Sequence, residues 1–215
     1  MAERPAAERR EELVALYNEV KDCHRCPLAE HRTNVVFGMG NADADLMFVG
    51  EAPGFHEDQQ GLPFVGRAGK LLDQLLEEIG LERRRDTFVA NVLKSRPPGN
   101  RDPLPDEIDA CKPYLLRQVE LIQPKVICTL GNFSTKLLSG SSQGITRVHG
   151  RPHERRVGGL DVTLYPLFHP AAALRSPPVL QQLRDDFRRL PELLAEQQPE
   201  EQPAVAKVPQ LDLFG

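Results

Sequence analysis

A chain of 215 residues with 40% hydrophobic content suits one compact domain plus a tail, and its formal net charge of −4 offers a nucleic acid no overall positive field. No apolar stretch approaches the ~20 residues that a membrane helix needs. Met1 to Glu12 is charged and lacks an apolar signal core, so the expectation is a soluble, cytoplasmic, monomeric protein that meets no membrane. Charge distribution reverses the first impression: beyond Pro191, five acidic residues (Glu192, Glu196, Glu200, Glu201, Asp212) face Lys207 alone and carry the whole −4. Residues 1–190 are neutral, with basic clusters at Arg83–Arg85, at Lys94, Arg96 and Arg101, and from Arg147 to Arg156, and local patches of this kind suit phosphates.

Leu13, Val14, Leu16, Tyr17 and Val20 recur at helical spacing and lead into Cys23-x-x-Cys26, a strong metal-ligand spacing. In a reducing cytoplasm cysteines serve as ligands or core residues rather than disulfides, and by count alone Cys111 and Cys128 complete a set of four. The apolar run Leu46–Val49 reads as a strand and stops at Gly50-Glu51-Ala52-Pro53-Gly54, followed by Pro63-Phe64-Val65-Gly66. A helix is expected over Ala68–Ile79, a strand over Phe88–Leu93, a helix over Asp106–Ile122, a strand over Val126–Leu130 and a helix over Asn132–Leu138. A strand over Val162–Phe168 and a helix over Val179–Leu194 close the series. This alternation predicts an α/β fold, a three-layer α/β/α sandwich around a four-stranded, mainly parallel sheet, with residues 1–195 as the domain and 196–215 as a disordered tail.

Each strand ends in something chemically useful. The first delivers Glu51; the second passes through Asn91 into Lys94–Arg101; the fourth ends at His169-Pro170. Ligands of open parallel sheets collect beyond the carboxyl ends of the strands, so these residues share one crevice. Phe64 offers a face for a flat ring, Asn91 a donor and an acceptor for a base edge, and His169 a hydrogen bond for an oxygen that becomes negative. Stacking, edge reading and anion stabilisation are what removal of an extruded base requires.

From about Cys23 to about Leu190 the chain resembles the iron–sulfur uracil-DNA glycosylases of the thermophile-type group, family four. The motifs are Cys23-x-x-Cys26-Pro27, Gly50 to Gly54, Gly61 to Gly66, Asn91-Val92-Leu93-Lys94, Arg96 to Arg101 and His169-Pro170. The resemblance implies hydrolytic removal of uracil from single- or double-stranded DNA. It implies a pocket in which Gly50, Glu51 and Ala52 form one wall, Phe64 stacks on uracil, Asn91 reads its pairing edge, His169 lies near the developing anion, and Glu57 stands at the rim. Arg96, Arg101, Leu174 and Arg175 are the implied DNA contacts, Leu174 as a wedge.

Three departures qualify this. Ala52 stands where another glycosylase family places a water-activating aspartate, which leaves Glu51 and leaving-group stabilisation to carry catalysis. No histidine lies between Leu93 and Asp102, where a covalent uracil-trapping relative has one. The family's cluster cysteine in a Lys-Cys-Arg-Pro-Pro segment is Ser95 here, so the implied 4Fe-4S ligands are Cys23, Cys26 and Cys111 with Ser95 at the fourth position. Oxygen ligation by Ser95, one open iron, an engineered change at this position and replacement by Cys128 all stay open, and zinc is the alternative metal. The tail's Gln210-Leu211-Asp212-Leu213-Phe214 resembles peptides that dock on the replication sliding clamp, which leaves a catalytically impaired, clamp-tethered DNA-binding module as the alternative function.

Overall fold

The computed structural model describes residues 4–196. Its sheet has six strands: β1 (Met39–Gly40), β2 (Leu46–Gly50), β3 (Thr87–Asn91), β4 (Val126–Leu130), β5 (His153–Val157) and β6 (Leu160–Leu167). They lie in the order β1-β3-β2-β4-β6-β5. The four central strands are parallel, as expected, while β1 and β5 add antiparallel edges, which corrects the expected four to six.

Both additions escaped the periodicity for physical reasons. β1 is two residues long, and β5 reads His153-Glu154-Arg155-Arg156-Val157 with only Val157 buried, so neither presents an apolar run. A signal for β5 did exist. Gly158-Gly159, both at positive φ, join Val157 to its partner Leu160 in a two-residue hairpin turn of the type that glycine pairs favour. Charged side chains on such an edge also discourage pairing with other chains.

Period-two alternation divides the core. Leu46 and Phe48 of β2 enter one cluster with Val89, Cys128, Leu72, Leu75, Leu76 and Phe187; Met47 and Val49 enter the other with Ala90, Ile127, Leu16, Leu115 and Val119. One face is therefore covered by α3 (Arg67–Glu77) and α9 (Pro177–Arg188), the other by α1 (Ala6–Lys21) and α5 (Pro105–Ile122). Each fully buried leucine in these layers stabilises the fold by about 1.5–3 kcal/mol. Shorter helices are α2 (Phe55–Gln60), α4 (Arg83–Asp86), α6 (Asn132–Ser139), α7 (Ile145–Val148), α8 (Pro170–Ala173) and α10 (Leu190–Glu196). Among the described residues no helix is long and apolar enough to cross a membrane.

The topology sets the site. From β2 the chain crosses to β3 on one side and then to β4 on the other, so the strand order reverses about β2. A crevice opens there beyond the carboxyl ends of the strands.

Candidate active site

The ends of β2, β3 and β6 bring Glu51, Asn91 and His169 to one cavity of about 470 Å³, whose lining also includes Ala52, Glu57 and Phe64. Gly50 lies beside Asn91 in the β2–β3 ladder. A Cβ on Gly50 would come within 2.4 Å of Asn91 Oδ1 and 2.7 Å of the Phe64 ring, so only glycine lets the two side chains close over this strand end. Phe64 itself sits at φ 53°, unusual for a bulky residue, and two contacts hold it there. Its carbonyl accepts a 2.8 Å hydrogen bond from Arg83 Nη1, and its backbone packs on Gly69, where a Cβ would lie 1.6 Å from that oxygen. The Phe64 ring stacks near His169, centroids 5.7 Å apart.

His169 caps α8: its Nδ1 accepts a hydrogen bond from the Ala171 amide at 3.1 Å. Burial pushes its pKa down to about 4, with the Glu57 carboxylate opposing only in part. A neutral ring whose Nδ1 is an acceptor carries its proton on Nε2, so this tautomer follows from the hydrogen-bond network. Nε2–H is thus a fixed donor across neutral pH. Glu51 moves the other way: burial, reinforced by Asp102, pushes its carboxyl up to about 7. Two groups with opposed shifts in one cleft mark a site of proton and charge management.

Glu57 does more than border the cavity. Its Oε1 accepts from the Val65 and Gly66 amides at 3.0 Å each and its Oε2 from the Gly54 amide at 3.1 Å, joining the β2 loop to the Phe64 loop. On the rim, Arg101 is clamped by the buried Glu107 carboxylate (2.6 and 2.9 Å), which caps α5 through the Leu104 amide. Arg96 donates to Asn100 Oδ1 at 2.6 Å and lies over the Phe55 ring. Leu174 and Arg175 are both exposed, and Arg175 borders the cavity mouth.

A second, much narrower cavity of about 10 Å³ is lined by Cys23, Cys26, Cys111 and Ser95 together. Hydrogen-bond donors point at its sulfurs: the Tyr114 hydroxyl lies 3.3 Å and the Arg25 amide 3.5 Å from Cys23 Sγ, and the Lys94 amide reaches Cys111. Burial raises the Cys26 and Cys111 thiol pKa values, so as free thiols they stay protonated. Among the described residues no three His, Cys, Asp or Glu side chains converge as they would on one metal ion. Cys128 is fully buried in the core on the opposite sheet face, two strands from β3.

The Uracil DNA glycosylase superfamily profile matches residues 37–190, most of the chain. The chain belongs to this superfamily. It is 46% identical over 187 residues to a Type-4 uracil-DNA glycosylase of Saccharolobus solfataricus, covering 85% of this chain and 87% of that one. The corresponding enzyme of Thermotoga maritima is 49% identical over 169 residues, 78% of this chain and 86% of its own. That of Archaeoglobus fulgidus is 44% identical over 193 residues, 88% and 96%. The family-four resemblance is thereby borne out, and an iron–sulfur cluster is in keeping with that group.

In this glycosylase fold the residues expected at the pocket from sequence lie together: Gly50 abuts Asn91 and Phe64, and the other six line the cavity. Three contributors were not foreseen. Arg83 and Gly69 hold the Phe64 backbone, and Lys94 lies buried behind Asn91, its Nζ donating to the Asn91 carbonyl at 2.8 Å and to Gln118 Oε1 at 2.6 Å. Their signal is weak in the sequence, because each acts on a backbone carbonyl that any residue type supplies. The clamp-like peptide at Gln210–Phe214 lies outside the described residues.

Proposed function

We propose that this chain removes uracil from DNA by hydrolysing its N-glycosidic bond and leaves an abasic site. The observation that carries this reading is the meeting of the Phe64 ring, the Asn91 carboxamide and a neutral His169 Nε2–H in one cavity. An extruded uracil stacks on Phe64 while the Asn91 carboxamide pairs with its O4 and N3–H edge. As the bond from N1 to the sugar breaks, its electron pair goes to the base, and His169 donates to the oxygen on which that charge gathers. The sugar becomes oxocarbenium-like; ionised Glu51 favours that cation and orients the water that closes the reaction. The water's oxygen joins the sugar carbon and one of its protons ends on uracil. Incubation with a uracil-containing oligonucleotide followed by alkali yields strand cleavage at the uracil; retained DNA binding with no cleavage would instead favour an impaired DNA-binding module.

Cys23, Cys26 and Cys111 with Ser95 would hold a 4Fe-4S cluster, with zinc as the alternative. Type-4 relatives favour the cluster, and donors aimed at Cys23 and Cys111 sulfur suit metal-bound thiolates. Such a cluster is structural: it ties the segment after α1 to α5 and to the loop after Asn91, and thereby sets Arg96 beside the DNA path. Purified protein with visible iron–sulfur absorption supports this; stoichiometric zinc with a colourless protein overturns it. For Gln210–Phe214, deletion of residues 209–215 abolishes pull-down by the sliding clamp if the peptide docks there, and leaves it unchanged if it does not.

A further inference from the structure

Phe55 opens α2 one residue after Gly54, which lines the cavity, yet its side chain is 51% exposed. Exposed aromatics standing singly need no explanation, but this one is held. The Arg96 guanidinium lies 5.2 Å from its ring centroid, and Arg96 is itself fixed by Asn100, which also lines the mouth. The His56 ring meets Phe55 edge-on at 5.5 Å. A ring fixed by these neighbours and still half exposed loses little freedom when something flat stacks on it. The cation beside it adds attraction for a polyanion. The mouth is also lined by Ala171, Ala172 and Arg175, and the exposed Leu174 lies between them in the chain. The rim therefore presents an aromatic platform and an aliphatic wedge at the opening through which an extruded nucleotide must pass.

We propose that Phe55, backed by Arg96, is a stacking platform for the nucleobase that flanks the extruded uracil on the same strand. It rests on the reading of the cavity as a uracil pocket and adds a subsite outside it. The platform holds a neighbour that has lost its own stacking partner to the pocket, a need greatest in single-stranded substrate, where no complementary strand keeps that base in place. Any base offers a face, so the subsite is tolerant of sequence.

The test uses the full chain with Phe55→Ala, Phe55→Leu and Phe55→Tyr, on single-stranded oligonucleotides carrying 2-aminopurine beside a cleavable uracil or beside an uncleavable fluorinated deoxyuridine. Phe55→Ala raises KM for excision about tenfold with kcat changed less than about twofold, since the loss falls on binding and not on the reacting bond. Wild type and Phe55→Tyr quench the 2-aminopurine on binding; Phe55→Ala and Phe55→Leu do not. Unchanged KM and quenching in Phe55→Ala overturn the platform, as does a Phe55→Leu protein that matches wild type, because a mere apolar cover would serve as well. Excision by wild type separates the two readings: if it cleaves uracil and the fluorescence ignores Phe55, the pocket stands and the platform falls, and if it fails to cleave, the pocket reading fails first.

Discussion

The uracil pocket and the thiol cavity lie on either side of the loop after β3, and they treat their polar groups in opposite ways. In the pocket, the Asn91 carboxamide, His169 Nε2 and the Glu51 carboxylate have no side-chain hydrogen bond to protein among the described residues, although Asn91 is 2% exposed. In the thiol cavity the donors are already in place, on Cys23 from Tyr114 and Arg25 and on Cys111 from Lys94. These pocket groups face the open cavity and are free to meet a ligand's own donors and acceptors. On the proposed reading, one region is finished by substrate at each turnover and the other by a bound cluster. Lys94 joins them, with its amide on Cys111 and its ammonium on the Asn91 carbonyl.

If the pocket groups act only on substrate, their removal has the largest effect and spares everything else. His169→Ala lowers kcat about 10²–10³-fold, as removal of an anion-stabilising donor does, while binding of a fluorinated, uncleavable oligonucleotide changes far less. Asn91→Ala falls in the same range. Equal losses in binding and kcat would place these residues in the DNA footprint and not at the reacting bond.

Lys94→Met tests the joint. Losing the ammonium frees the Asn91 carbonyl and leaves Gln118 Oε1 without its donor, while Gln118 Nε2 still donates to the Phe37 carbonyl at 2.9 Å. A base-reading group displaced by about 1 Å costs about 10²-fold in kcat. Visible absorption persists if Lys94 serves the pocket; absorption and activity lost together would assign it to the thiol cavity. Gln118→Leu gives a smaller loss of the same kind, and the double variant loses less than the sum if the two act as one brace.

Much of this arrangement was legible in the sequence because strand ends carry their own punctuation. Leu46–Val49 followed by Gly50 and Pro53, and Val162–Phe168 followed by His169-Pro170, mark where strands stop, and topology then brings the ends together. The four central strands were visible for the same reason, while β5 was hidden by its charges and betrayed only by Gly158-Gly159. Burial was not legible. Nothing in Lys94-Ser95-Arg96 says that the lysine is 2% exposed, with its pKa pushed down to about 7 by that burial. Arg101, an implied DNA contact, is held by a bidentate partner, Glu107, that is 1% exposed, and only three dimensions reveal such a pair.

The opposed shifts of Glu51 and His169 sharpen the comparison through pH. With Glu51 at about 7 and His169 at about 4, kcat falls as pH drops below 7, by about tenfold for each unit, while His169 stays neutral until the pH nears 4. Stability runs the opposite way. The folded state holds the Glu51 proton more tightly than the ordinary 4.5, so its contribution is full below 4.5 and is lost as pH rises through about 7. Glu51→Gln therefore melts at a higher temperature than wild type at pH 8, with the difference closing toward pH 4. It also loses the acid limb of the rate profile. A Glu51→Gln protein that keeps that limb would move the titration to another group.

Ser95→Cys has the smallest effect on catalysis and the clearest one on the thiol cavity. Ser95 is 4% exposed, lines the cavity with the three cysteines and receives only a long 3.5 Å contact from Arg32, so a sulfur can replace its oxygen without disturbing a strong bond. A hydroxyl is a poor iron ligand at neutral pH, whereas a thiol gives up its proton on binding metal. Wild type then carries a weak or labile iron–sulfur band, and Ser95→Cys a stronger one that survives longer in air and in chelator, with kcat within about twofold because no pocket group moves. Cys128→Ser leaves both bands unchanged, since that thiol lies in the core across the sheet. Equal and stable iron content in wild type and Ser95→Cys would mean that three thiolates and the hydroxyl already suffice.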